Sequence, residues 1–383
     1  MQAAGCFPKG LIRMKKIISA GHICLDITPV FPSGHSCGRI GDLLVPGRLI
    51  RTESASVHTG GSVANTGLAL KLLGNDVTLL GKVGADAFGA MVRNILAGYG
   101  AGGLITDESS STSYSVVLAV PGQDRIFLHN PGANDTFSAS DIPEEALAGA
   151  ALFHFGYPPL MKRMYEDSGA ELQRLFRRVR EHGAATSLDM AAVDPLSDAG
   201  RADWQAILAN VLPDVDFFVP SFEELCFMLD RACYDALAAK GGDMTLQEGV
   251  TEKADELARK CLDLGCGAAL IKCGLAGMVY RTGSRERMAG VGARLELDAD
   301  EWADRAGMQP CFRAETVCSA TGAGDVSIAA YLTALLRGES PADCAKLAAA
   351  EGAASVSSYD ALGGILPLDE LKRRINAEEK PCL

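Results

Sequence analysis

Thr321-Gly322-Ala323-Gly324-Asp325 is the stretch of this 383-residue chain whose residue types and spacing could do chemistry. Glycines on either side of an alanine let the backbone turn tightly enough for successive N–H groups to point one way. An almost wholly apolar run follows, residues 326–336, and reads as a helix. Its N-terminal dipole adds positive potential where those amides converge, so the place suits an anion, most simply a phosphate. A carboxylate beside a phosphate is repulsive. Asp325 therefore makes sense there if it has a task, such as taking a proton from a hydroxyl that attacks phosphorus. The same five residues also fit an ordinary turn with the aspartate as helix N-cap. A dinucleotide fold fits less well, because its third glycine would fall on Ser327 and the motif lies near the C-terminus.

Bulk properties narrow the partners. The net charge of −12 with no basic block argues against nucleic acid and against an anionic membrane. Hydrophobic residues make up 48%, enough for one large core or two modest ones. Twelve cysteines are scattered without a Cys-x-x-Cys pair, and Cys261/Cys266 and Cys311/Cys318 lack zinc-ligand spacing. They read as reduced thiols of a cytoplasmic protein. No apolar run reaches membrane-spanning length. Residues 1–13 hold Lys9 and Arg13 but no apolar core of a signal peptide, and are expected to be a disordered extension.

The elements that would position the motif follow in order. Residues 16–27 read as one buried strand carrying Asp26 at its end, and residues 28–54 as irregular or antiparallel structure. After Gly60-Gly61, Ser62 caps a helix with Ala64, Leu68 and Leu72 on one face and Gly74 as its stop. A strand is predicted over 76–83 and a helix from Asp86. Residues 113–120 and 124–129 flank Pro121-Gly122 as a β-hairpin. Short apolar strands at 151–155, 185–188, 217–219 and 268–272 then alternate with helices at 170–182, 203–212 and 253–264. Such alternation predicts a parallel sheet covered by helices, with the site at the strands' C-terminal ends. Residues 28–54 and 111–130 interrupt the pattern and are the lid candidates.

Three motifs now stand in register: Gly60-Gly61-Ser62-Val63-Ala64-Asn65, Gly81-Lys82-Val83-Gly84-Ala85-Asp86-Ala87-Phe88-Gly89, and Thr321-Gly322-Ala323-Gly324-Asp325. Together they resemble the ribokinase-like (PfkB) family of sugar kinases, over nearly all of the chain from about residue 15 to 364. The resemblance implies an α/β fold, a three-layer α/β/α core with a mainly parallel sheet, plus a small β-sheet lid, in one kinase domain spanning 14–383. It implies ATP-dependent phosphorylation of a hydroxyl on a small-molecule sugar, with Mg²⁺, and often a homodimer paired through the lids. By that resemblance Asp325 is the catalytic base and the amides of Gly322, Ala323 and Gly324 are the anion hole. Asp26, Gly60, Gly61 and Asn65 fall at substrate positions, with Gly60-Gly61 also a hinge. Asn134, just after the lid hairpin, is expected to touch substrate hydroxyls. Thr321, Lys272, Gly274 and Gly277 fall on the nucleotide side. Glu224, in Ser221-Phe222-Glu223-Glu224, corresponds to the glutamate that orients Mg²⁺-bound water, with serine standing where asparagine is usual. Ser319-Ala320 replace the usual Asp-Thr, so K⁺ activation does not carry over. Asp189-Met190-Ala191 lacks the Asn and Arg that follow this aspartate in several sugar-acid and fructose kinases. The rival readings are a nucleoside kinase on the same fold and a catalytically silent sugar-binding sensor.

Overall fold

The computed structural model describes residues 15–32, 40–121, 125–314, 316–358, 360 and 362–376. The expected extension 1–13 lies outside them, as do Gly122 and Asp124 of the predicted hairpin. In chain order, strand β1 (Lys16–Gly21) enters the core. Two residues later β2 (Cys24–Pro29) runs out into a second sheet. Strand β3 (Ala55–Gly60) returns antiparallel to β2 and delivers the chain into helix α1 (Ser62–Leu72). Strand β4 (Asp76–Leu80) lies beside β1, while β5 (Tyr114–Leu118) and β6 (Ile126–Asn130) complete the second sheet. Next come β7 (Ala150–Gly156), β8 (Ala185–Asp189), β9 (Phe217–Phe218), helix α2 (Phe222–Leu229) and β10 (Ala268–Lys272). Strands β11 (Met278–Thr282) and β12 (Ala306–Gln309) precede helices α3 (Ala323–Leu336) and α4 (Pro341–Ser355).

The core sheet has eight strands in the order β12-β11-β10-β9-β8-β7-β1-β4. From β4 to β10 every pairing is parallel; β11 and β12 add an antiparallel edge. Its inner strands are apolar on both faces, as a sheet covered on both sides demands: β7 is buried along its whole length. One core, around Phe153, Phe155, Phe176 and Trp204, fills one side. The other, around Trp302, Tyr331 and the small residues of α4, fills the opposite side. Helix α3 is buried almost all round, which explains the run without amphipathic period after Asp325.

The smaller sheet, in the order β3-β2-β5-β6, is the lid. Three sequence expectations are refined here. Residues 16–27 are not one strand: the chain leaves the core after Gly21, and β2 belongs to the lid. Among its described residues, the stretch 28–54 supplies the end of β2 and a short helix, Ile40–Leu43, and the second lid strand, β3, begins at Ala55. Likewise 76–83 breaks at Gly81, after which Lys82–Gly84 pairs with Ile105–Asp107 in a separate two-stranded ribbon.

Candidate active site

β1 has β4 on one side and β7 on the other, so the sheet order changes direction there. A crevice opens at such a switch point outside the carboxyl ends of the strands. The residues just beyond those ends line it. His22 follows β1 and Tyr157 follows β7, with ring centroids 6.1 Å apart. Asp189 ends β8, and Lys272 ends β10, forming a parallel bridge with Ser221.

Asp325 sits in the first turn of α3 and is 5% exposed. Its Oδ1 accepts from Thr66 Oγ1 at 2.8 Å, and its Oδ2 from Asn65 Nδ2 at 3.1 Å. Both donors lie in the first turns of α1, so the N-terminal ends of two helices meet at one carboxylate. The Tyr157 hydroxyl donates to the same group, 2.8 Å from Oδ1 and 2.7 Å from Oδ2. Gly322, the residue before α3, has φ 79°, a left-handed turn that glycine enters without steric cost. The first-turn amides beyond it have no carbonyl four residues back in the helix to serve them. The Ala323 amide makes a weak contact of 3.3 Å with the Ala320 carbonyl, and Thr321 is exposed at the turn's mouth.

On the lid, strand register places His58, Asp26, Ser115 and His129 in one cross-strand row over β3, β2, β5 and β6. His129 Nδ1 lies 3.0 Å from Ser115 Oγ, and its ring is 5.2 Å from that of His22. Burial raises the Asp26 carboxyl above its usual pKa, opposed by hydrogen bonds from Cys24 and Ser115. Burial, with the His129 ring beside it, lowers His22 to about 3, so His22 is neutral near pH 7. Both His22 ring nitrogens are buried and lack a protein partner, leaving a donor and an acceptor at the crevice floor. Sequence reasoning passed over His22, His58 and Tyr157; only the register and the strand ends reveal them.

The glycine pair is explained by close approach. A Cβ on Gly60 would stand 2.1 Å from Asp26 Oδ2, and one on Gly61 2.5 Å from the His22 carbonyl oxygen. Asn134 has a different place from the one expected. It is fully buried, its Oδ1 accepts from the Ile23 N–H at 3.2 Å and its Nδ2 donates to the Ile23 carbonyl at 2.9 Å. Each end of the carboxamide thus helps to hold the joint between β1 and β2.

Lys272 Nζ donates to Asp189 Oδ1 and to the Val219 carbonyl, each at 2.7 Å. Burial pushes Asp189 above the usual carboxylate range, Glu224 and Asp325 add to the rise, and Lys272 opposes it. Burial works to lower Lys272, yet the carboxylates of Asp189, Glu224 and Asp325 hold it above its usual value. The lysine stem passes the turn before α3: its Cε is 3.7 Å from where a Gly324 Cβ would stand. Gly274 and Gly277 shape the turn that leads from Lys272 into β11. Glu224 forms a capping box with Ser221: Ser221 N–H donates to Glu224 Oε2 at 2.7 Å, and Glu224 N–H to Ser221 Oγ at 3.3 Å.

Among the described residues, no group of three or more His, Cys, Asp or Glu is placed to enclose a metal ion. Glu224 at the strand ends fits the sparse protein ligation of Mg²⁺, which keeps most of its waters and leans on substrate phosphates. No helix among the described residues is long and apolar enough to cross a membrane.

Comparison with known proteins decides the family. The profile described as "pfkB family carbohydrate kinase" matches residues 14–367. The chain belongs to the pfkB family. Fructokinase-1 of Zea mays is 32% identical over 134 residues, 34% of this chain and 41% of that protein. Fructokinase-1 of Oryza sativa subsp. japonica is 28% identical over 182 residues, 46% and 51% respectively. The chain thus spans about half the length of the curated relatives it matches. Among solved structures, the fructokinase of Xylella fastidiosa with bound ATP has a TM-score of 0.68 at 19% identity, covering 96% of this chain and 100% of that one. The ribokinase of Arabidopsis thaliana complexed with ribose and ATP has a TM-score of 0.67 at 18% identity, covering 94% and 98%. The fold is therefore ribokinase-like, an α/β core with a mostly parallel sheet.

Proposed function

We propose that this pfkB-family chain transfers the γ-phosphoryl group of ATP to a hydroxyl of a neutral sugar. The observation that carries the reading is Asp325. It is a carboxylate beside a helix N-terminal anion turn, oriented by Asn65 and Thr66 and facing the crevice under the lid row of Asp26. In that arrangement the sugar lies between the lid row and the strand ends. Its hydroxyl stands at Asp325, which takes the proton as the oxygen–phosphorus bond forms. The amides of Gly322, Ala323 and Gly324 receive the γ-phosphate, with Lys272 beside them as the nearby cation. Mg²⁺, oriented through water by Glu224, would neutralise charge on the nucleotide phosphates. A cavity of about 280 Å³ lined by Phe312, Ala350, Ala353, Ala354, Ser357 and Ile365 flanks α4 and would take the adenine. The lid row offers hydroxyl partners without a lysine or arginine in it, which favours a neutral polyol over an acidic sugar.

One observation favours a nucleoside as acceptor: Phe127 lies two residues from His129 on β6, so on the same lid face, and its side chain is open to contact. Incubation with ATP·Mg²⁺ and, in turn, ribose, fructose, 2-keto-3-deoxygluconate, adenosine and inosine separates the two. We expect ADP release to require a sugar. Turnover of adenosine or inosine alone would replace the sugar reading by the nucleoside one. Sugar binding without ADP from any member would point to a silent sensor.

A further inference from the structure

Tyr157 does not belong to the motifs that define the site, yet it makes the shortest contact with Asp325. Its backbone is left-handed, φ 69° and ψ 42°, a region unfavourable to any residue with a Cβ. Pro158 follows, and a residue before proline is pushed towards extended conformations. A side chain kept in such a conformation at the edge of a crevice is held there by its surroundings, and the result is often functional. Here the result is the aim of the phenol. Thr66 and Asn65 already serve one oxygen each of Asp325. The phenol hydrogen is shared between the two oxygens, 2.8 and 2.7 Å away, and covers the edge that remains. A phosphoryl acceptor must stand at that edge to hand over its proton.

On the kinase reading above, we propose that the Tyr157 hydroxyl is a placeholder for the acceptor hydroxyl, keeping water off Asp325 until a sugar displaces it. Without it, ATP bound in the absence of sugar would meet a water at Asp325. The water oxygen would bond to the γ-phosphorus, the bond to the β–γ bridging oxygen would break, and the water proton would pass to Asp325, leaving ADP and phosphate. The phenol keeps its own proton, because burial and then the Asp325 and Asp189 carboxylates hold it well above the usual tyrosine range. It therefore remains a donor to the base. Tyr157 is on this account a positioning residue that sets coupling, not maximal rate.

The test is Tyr157→Phe, assayed with ATP·Mg²⁺ alone and then with the panel sugar that the wild type turns over. Sugar-free ATP hydrolysis should rise about tenfold relative to sugar phosphorylation at saturation, the weight of one hydrogen bond to a charged group. A merely structural tyrosine would leave the ratio of the two rates unchanged, and that result overturns the proposal. So would phosphate found on Tyr157 of the wild type after ATP alone, since the phenol would then be an acceptor. Should the variant fold poorly, 3-fluorotyrosine at position 157, a stronger donor of nearly the same size, should lower sugar-free hydrolysis below wild type; an unchanged or higher rate overturns the idea. A wild type inert towards every panel sugar overturns the kinase reading and this inference with it. An active wild type whose Tyr157→Phe form hydrolyses ATP no faster overturns the placeholder alone.

Discussion

Two histidines carry the cost of packing polar rings under the crevice. His22 and His154 are both buried, and burial is the first cause that brings each to about 3. His154 shares Nδ1 with Ser187 Oγ at 3.0 Å, while its Nε2 lacks a protein partner. The consequence has a definite sign. In the unfolded chain each ring titrates near the ordinary 6.5, so below that pH the unfolded state binds protons the folded state refuses. The stability is fully present above about pH 6.5 and is lost as pH falls from there towards 3. Each histidine should cost about 1.4 kcal/mol per pH unit in that window, so about 2 kcal/mol between pH 7 and 5. Urea denaturation of wild type and His154→Gln at pH 7 and pH 5 checks this: the acid loss should shrink by about 2 kcal/mol in the variant. Equal losses would mean that His154 is not held neutral. His154 sits inside an apolar strand and His22 in the short link just after one, where a lone histidine gives no periodic signal, so their surroundings were not readable from the chain.

The elements divide into those that announce themselves and those that do not. β10 spans the residues its apolar run predicts, whereas helix α1 starts one residue off its expected cap: Gly61 stands at the N-cap, and Ser62 is the first helical residue, its hydroxyl buried without a protein partner. The break between β1 and β2 was hidden because both halves are apolar and only the partner sheet changes. The antiparallel edge, β11 and β12, was missed because Met278–Thr282 and Ala306–Gln309 mix glycine and polar residues with apolar ones. Asn134 shows how a polar residue after a hairpin misleads: its environment is a joint, not a lid surface. The capping box of Ser221 and Glu224, by contrast, follows a spacing any sequence displays. At this scale Gly60 makes a prediction. Gly60→Ala must push its Cβ into Asp26 Oδ2, a clash of 2.1 Å that the carboxylate relieves only by leaving the lid row. Steady-state kinetics should then show KM for the sugar raised about tenfold or more, the loss of one charged hydrogen bond, with KM for ATP within about twofold. An unchanged sugar KM would remove Asp26 from the substrate.

At the scale of the whole molecule, the layout follows from one alternation. Strands bounded by helices give a parallel sheet, its C-terminal edge collects His22, Tyr157, Asp189 and Lys272, and the smaller sheet meets that edge where the His129 ring lies 5.2 Å from that of His22. The motifs in sequence register foretold which ends of the chain would face each other. They did not foretell the row across the lid, which exists only once β3, β2, β5 and β6 are paired. Asn65 and Asp325 are 260 residues apart and meet at 3.1 Å because α1 and α3 begin side by side at that edge.

The account rests on Asp325 acting as the base at that meeting point, and Asp325→Asn tests it. Its sugar-dependent turnover should fall about a thousandfold or more while ATP affinity, read by equilibrium titration, stays within about threefold. A variant that keeps more than about a tenth of the wild-type rate would contradict the assignment.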